Sequence, residues 1–123
     1  MQIDVMCFRF RKEIVCVDTF AHNIINLTKK QCQYHLPAEE FRKTFEEIYQ
    51  SGEELSIVMF ERHRYSPRIY YRIYTIFLGE NRYRTFMEVF DGTSANYEYV
   101  FCTSRRQCKQ IMETREAGNK KLY

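Results

Sequence analysis

Arginine and tyrosine side chains in the second half of the chain have the types and spacing most suited to binding chemistry. Between Thr44 and Cys108 the sequence contains eight arginines and no lysine. Six of these arginines fall within residues 62–84, where five tyrosines are interleaved with them. A guanidinium group binds phosphate or carboxylate through two parallel hydrogen bonds and also stacks on aromatic rings. This composition therefore predicts a surface that contacts an anionic partner.

Strand alternation predicts which of these side chains share a face. Successive side chains of a strand point to opposite sides of the sheet. In the segment after Pro67, the arginines and tyrosines at positions 68, 70, 72 and 74 should therefore lie together, opposite a core-facing row that begins with Ile69. A hairpin would place the arginines and the phenylalanine of residues 82–86 beside them, and residues 62–64 extend the set. The predicted binding residues are Arg62, Arg64, Arg68, Tyr70, Arg72, Tyr74, Arg82, Arg84 and Phe86.

Arginines interleaved with aromatic rings suit single-stranded nucleic acid, because the cations contact phosphates while the rings stack on bases at roughly 1–3 kcal/mol each. We therefore expect a small non-enzymatic binding protein that uses this sheet face to hold a polyanion, above all nucleic acid. Tyrosine and arginine are also enriched at protein–protein hot spots. The alternative is a protein-binding module or inhibitor, encoded by a phage or mobile element, that binds an acidic surface of a nucleic-acid-handling host complex. An uncharacterised enzyme is the third hypothesis.

The charge pattern supports a purely structural explanation as well. Residues 39–61 carry seven acids against two cations, a sum of −5, and residues 62–84 carry six arginines against Glu80, a sum of +5. The acidic segment can neutralise the arginines within the fold or across a homodimer. Arg–Tyr pairs also stabilise a sheet by stacking without any ligand.

A second basic site is predicted at the start of the last helix. Ser104 is suited to cap this helix, with Gln107 at the reciprocal capping position. The cations Arg105, Arg106 and Lys109 follow in the first turns. Because backbone N–H groups at a helix N-terminus attract anions, this end of the helix is a candidate phosphate site.

No catalytic residue, metal or cofactor is predicted. Cys32 and His35 have the spacing of half a zinc site, but the other Cys and His residues provide no second close pair. The five cysteines are odd in number and lie in apolar contexts, which indicates reduced thiols and a cytoplasmic protein. The N-terminus lacks the pattern of a signal peptide, and no apolar run is long enough for a transmembrane helix, so no membrane association is expected.

The elements that must position these residues follow from periodicity and turn signals. The pattern predicts strands at residues 2–10, 14–17, 55–65, 68–78, 82–90 and 97–101, a helix at 37–50 and another from Ser104 to Gly118. Residues 18–36 are expected to divide into a helix, with Phe20, Ile24 and Leu27 on one face, and a short strand. The predicted fold is α+β: one domain over residues 1–118, an antiparallel sheet of about five to six strands with two to three helices packed mainly on one face, and a basic tail at 119–123.

Overall fold

A computed structural model of the protein describes the backbone of residues 4–120 and the side chains of residues 4–118. These residues form nine strands and two helices, arranged as two antiparallel sheets of five and four strands. The predicted α+β class and antiparallel pairing are confirmed. The expectation of one sheet with five to six strands is wrong, because the strands are divided between two sheets. Contacts separate the chain into two compact units at Ile57/Val58, and the single domain over residues 1–118 stays a prediction.

The first unit contains the five-stranded sheet and one helix. Its elements are β1 Val5–Phe10, β2 Glu13–Asp18, β3 Asn23–Asn26, β4 Gln31–Gln33, α1 Ala38–Ser51 and β5 Glu53–Leu55, and the strand order is β4-β3-β2-β1-β5. A tight turn joins the first two strands, in which Arg11 and Lys12 adopt φ angles of 51° and 66°. Residues 2 and 3 of the predicted first strand lie outside the described residues.

Helix α1 covers one face of this sheet. Its apolar stripe contributes Phe41 and Ile48 to a buried cluster with Val15 and other residues of the sheet. The predicted helix at 37–50 is confirmed within one residue at each end, with Pro37 at the N-cap. Gly52 ends the helix by donating its N–H to the carbonyl of Ile48 at 2.7 Å. A Cβ at this position would lie 2.5 Å from that carbonyl oxygen, so the tight exit requires glycine.

The prediction of a helix within residues 18–36 is wrong, because this segment forms β3 and β4. The Asp18 carboxylate accepts hydrogen bonds from the N–H groups of Phe20 and Ala21, as a helix cap would. The chain then turns at His22, with φ of 58°, and does not continue as a helix. The next two isoleucines, Ile24 and Ile25, are both buried, which a strand with apolar contacts on both faces accommodates.

Two disulfides correct the expectation of five reduced thiols. Cys7 and Cys16 lie directly opposite each other on β1 and β2, with Cα atoms 4.0 Å apart, and are disulfide-bonded. Cys102 and Cys108 form the second bond, while Cys32 is free. The cytoplasmic location, which was inferred from reduced thiols, stays a prediction. Over the described part of the chain, no helix is long and apolar enough to cross a membrane.

The second unit is built on the four-stranded sheet. Its elements are β6 Ile57–Arg64, β7 Ile69–Gly79, β8 Arg82–Asp91, β9 Asn96–Cys102 and α2 Arg105–Lys120, and the strands are ordered β6-β7-β8-β9. The predicted strand at 55–65 is divided at Ser56, because β5 pairs with β1 in the first sheet while β6 belongs to the second.

The predicted β7–β8 hairpin is confirmed. Glu80 and Asn81 form its turn with φ angles of 53° and 60°, preceded by an irregularity in pairing between Phe77 and Gly79. On one face, Tyr71, Ile73 and Met87 pack with the Cys and Met residues of α2. Contrary to prediction, α2 continues past Gly118 to Lys120. Residues 121–123 of the predicted tail lie outside the described residues.

Candidate nucleic-acid interface

The register of the second sheet places the predicted arginines and tyrosines of β7 on one face, opposite α2. Tyr70 pairs with Phe90, Arg72 with Glu88, and Tyr74 with Phe86. Cross-strand partners share a face, so the alternation expected for β7 is correct. We call this side of the sheet the Arg/Tyr face, and its members differ in how far they reach solvent.

The middle of the Arg/Tyr face is buried, which contradicts the expectation that the whole face is open. Tyr74 and Phe86 are both 0% exposed. Their rings stack with centroids 4.9 Å apart, and the ring of Phe60 on β6 lies 5.2 Å from that of Tyr74. Tyr74 and Phe86 are therefore core residues. Neither ring has exposed surface on which a base could stack.

Arg72 forms an internal ion pair in this buried region. Its Nη1 lies 3.5 Å from Oε1 of Glu88, whose side chain is 1% exposed. Its guanidinium also lies 4.5 Å from the ring centroid of Tyr70. Burial alone would lower the pKa of Arg72, but attraction to Glu88 and to the phenol groups of Tyr70 and Tyr74 raises it overall. Arg72 is thus engaged in stabilising the sheet itself.

A row of three aromatic rings crosses the Arg/Tyr face nearer to its end. Tyr70, Phe90 and Tyr97 are successive cross-strand partners on β7, β8 and β9. Their centroids are 4.9 Å and 4.7 Å apart, and all three side chains are partly exposed. The guanidinium of Arg62 on β6 lies 5.5 Å from the ring centroid of Tyr70. We call Tyr70, Phe90 and Tyr97 the aromatic row.

Exposed arginines stand at this same end of the sheet. Arg62 and Arg64 belong to the last part of β6, and Arg68 precedes β7; all three are exposed. The position of Arg68 is fixed, because its N–H donates to Ser66 Oγ at 3.2 Å and its carbonyl accepts from Gly92 N at 2.6 Å. The aromatic row and these three arginines together form what we call the Arg/Tyr end.

Arg82 and Arg84 lie at the opposite end of the sheet, next to the β7–β8 turn. Both are exposed, as is Tyr83. Gly79 lies nine positions after Tyr70 along β7, which corresponds to about 30 Å at the rise of a β-strand. The predicted continuous surface is therefore divided into two exposed ends by a buried middle.

The second predicted basic site is largely neutralised within the protein. The cap is confirmed, since Ser104 Oγ accepts a hydrogen bond from Gln107 N at 3.1 Å. Arg105 and Lys109, however, both bind the carboxylate of Glu61 on β6. The Arg105 hydrogen bond is the main cause that lowers the Glu61 pKa to about 2, although burial opposes it. Of the three predicted cations, Arg106 is exposed and has no ion pair among the described contacts.

Several acids of the segment 39–61 lie on α1 and make ion pairs within the first unit. On α1, Glu46 and Glu39 lie 3.1 Å and 4.0 Å from the guanidinium of Arg42, and Glu47 pairs with Arg11. Glu46 and Arg42 have the i,i+4 relation that stabilises helices by a few tenths of a kcal/mol. These contacts fit the solvated surface of an amphipathic helix. The neutralisation of the Arg/Tyr residues by this segment stays a hypothesis.

Sequence reasoning missed Phe90 and Tyr97 as members of the site. Both lie in predicted strands, and the Asp91-Gly92 turn signal was available to align them. Counting outward through this turn would have placed Tyr97 beside Phe90 and hence beside Tyr70. Within residues 4–118, no group of three or more His, Cys, Asp or Glu is placed to hold a metal ion. No family model, no curated protein and no solved structure matches this chain.

Proposed function

We propose that the protein binds single-stranded nucleic acid at the Arg/Tyr end of its second sheet. The observation that carries this proposal is the aromatic row: three partly exposed rings in register across three strands, with exposed arginines beside them. Neighbouring rings on a sheet can stack successive bases, and guanidinium groups can contact the phosphates between them. The proposal changes the predicted set of binding residues. Arg72, Tyr74 and Phe86 are assigned to the fold, and Phe90 and Tyr97 are added to the site.

The geometry favours a single strand over a duplex. Stacking on a sheet requires bases whose faces are free, which a duplex does not offer. Backbone contacts from three arginines would give affinity with little dependence on sequence. Sequence preference would come from how strongly each base stacks on the row.

A test is the affinity of a labelled oligonucleotide, measured by fluorescence anisotropy at low ionic strength. Changing Tyr97→Leu removes one ring of the row while retaining an apolar side chain, and we expect a loss of about 1–3 kcal/mol of binding free energy. The matched control is Tyr83→Leu, an exposed tyrosine of the hairpin turn region, which should leave affinity unchanged. Absence of binding to any single-stranded DNA or RNA at low salt would refute the proposal.

Protein binding is the second candidate function, and the edge strand β6 is the observation that favours it. β6 lies at one edge of the second sheet and exposes Val58 and Met59, at 52% and 44%. Exposed sheet edges accept an additional strand from a partner. Replacing both residues with lysine should abolish such pairing and leave oligonucleotide affinity intact. If the protein instead captures a partner through β6 and binds no oligonucleotide, the inhibitor hypothesis replaces the first.

A further inference from the structure

The first unit contains a cavity that the proposed nucleic-acid site does not use. Its volume is about 370 Å³, and it is lined by residues of β1–β4 and by Thr44, Glu47 and Ile48 of α1. Val15 and Ile24 of the sheet and Ile48 of α1 give it an apolar floor; all three belong to the buried cluster between the sheet and α1. Cavities of this size are in the range that binds small organic ligands.

Three amide side chains line the cavity on the same face of the sheet as its apolar floor. Asn26 pairs with Val15 on one side and with Gln31 on the other, and Gln33 pairs with Ile24. Cross-strand partners share a face, so the three amides lie on the same side of the sheet as Val15 and Ile24. Asn26 already bonds Glu13 and the N–H of Lys29, so the amides open to a ligand are those of Gln31 and Gln33, which are exposed on the edge strand β4.

The charges around the cavity cancel. Lys29 Nζ lies 3.4 Å from Glu13 Oε1, and Arg11 pairs with Glu47. Asn26 donates a hydrogen bond to Glu13, the main cause that lowers the pKa of this carboxyl below its usual value, with Lys29 contributing. With two cations and two carboxylates already paired, the lining has no net charge to offer an ionic ligand. The remaining capacity for recognition lies in the amides and the apolar floor.

We propose that this cavity binds a small, uncharged, flat heterocycle that carries hydrogen-bond donors and acceptors along one edge, the class of nucleobases and nucleosides. An Asn or Gln side chain presents an acceptor oxygen and donor nitrogen side by side, which matches the edge of a base. Gln31 and Gln33 contact that edge, and the ring lies on Val15, Ile24 and Ile48. The site is independent of the Arg/Tyr end, because every lining residue belongs to the first unit.

The test is a titration of the full-length ¹⁵N-labelled chain with adenosine, guanosine, cytidine and uridine, followed by amide chemical shifts. We expect saturable shifts at the cavity for at least one nucleoside. The double change Gln31→Ala and Gln33→Ala, at two exposed side chains, should weaken this binding by tenfold or more, about 1.4 kcal/mol. The matched control is Gln50→Ala, an exposed amide of α1 that is not among the lining residues, and it should bind as the wild type does.

Cys32 provides a second measurement, since it also lines the cavity and is the free cysteine of the described residues. A bound nucleoside should slow its alkylation by iodoacetamide severalfold. The proposal is overturned if no nucleoside gives saturable shifts up to about 10 mM, a concentration that detects even millimolar affinity. It is equally overturned if inorganic phosphate shifts the same amides as strongly, because the cavity would then be an anion site. The nucleoside titration and the alkylation rate do not depend on oligonucleotide binding at the Arg/Tyr end, so a failure of that proposal would not change their results.

Discussion

Replacing Arg72 should destabilise the fold without removing a nucleic-acid contact. In Arg72→Met the apolar stem remains, but Glu88 loses the guanidinium 3.5 Å away. Removing the cationic partner of a buried carboxylate costs about 3–5 kcal/mol. Because the Arg72 side chain is 21% exposed and water reaches part of the pair, we expect the lower end, about 3 kcal/mol of unfolding free energy.

A double-mutant cycle with Glu88→Gln measures the pair directly. Glu88→Gln alone should cost about 1–2 kcal/mol, since the partly exposed Arg72 keeps some hydration. In the double variant neither charge remains, and the combined loss should be smaller than the sum by about 2 kcal/mol. Urea denaturation at neutral pH, followed by circular dichroism, gives all four free energies. The matched control is Arg62→Met at an exposed position, which should cost about 0.5 kcal/mol through its lost contact with Tyr70.

The result that would refute this reasoning is additivity. If the two single losses sum to the double loss within about 0.5 kcal/mol, the charges do not interact and the pair does not stabilise the sheet. Arg72→Met should also retain the salt dependence of oligonucleotide binding. A shallower dependence of log K on log salt in this variant would show that Arg72 contacts the nucleic acid.

Four further predictions concern other parts of the second unit and the thiols. The pKa of Glu61 is held at about 2, so the stability that its charge contributes is complete above the usual pKa of 4.5 and is lost as pH falls toward 2. Glu61→Gln should remove about 2 kcal/mol of this pH-dependent stability, measured by urea denaturation. Equal losses of stability on acidification in the wild type and in Glu61→Gln would contradict this prediction. Ser104→Ala should lower stability by about 1 kcal/mol while Ser104→Asn is near neutral, and equal losses would argue against the cap. Thiol titration of the unreduced, denatured chain should find one reactive group, Cys32. Replacing Cys102 and Cys108 with serine should cost about 2 kcal/mol, the entropy of a short closed loop, and five reactive thiols would contradict both disulfides.

The hairpin and the alternation of its side chains between the two faces of the sheet were predictable, because turn chemistry and period-2 alternation act locally. Gly79 and Asn81 mark the turn, but counting back from it does not give the pairing of Tyr70 with Phe90, because the irregularity between Phe77 and Gly79 shifts the register by one residue. What alternation does not reveal is which face is covered. Tyrosine suits both core and surface, so the composition of a row of arginines and tyrosines does not distinguish an open face from a covered one. The readable signal was Glu88, an acid on the same face as Arg72, which provides an internal partner.

The errors in the first unit have similar physical causes. Asp18 makes the same side-chain hydrogen bonds in a turn as at a helix N-cap, so the residue type did not distinguish them. Pairing in the sheet then prevailed over local helix propensity. The Cys7–Cys16 bond was readable, since the two residues are equally distant from the Arg11–Lys12 turn and must face each other in a hairpin. The odd number of cysteines indicated reduced thiols instead, although it requires only that one cysteine stay unpaired.

The measurement that tests the central claim most directly is the salt dependence of oligonucleotide affinity for the wild type and for the variant with Arg62, Arg64 and Arg68 changed to alanine. Three phosphate contacts predict a slope of about −2 for log K against log salt with a single strand. The triple variant should bind weakly with a slope near zero, while the control Arg82→Ala with Arg84→Ala keeps that of the wild type. An unchanged slope in the triple variant, or loss of slope in the control, would contradict binding at the Arg/Tyr end.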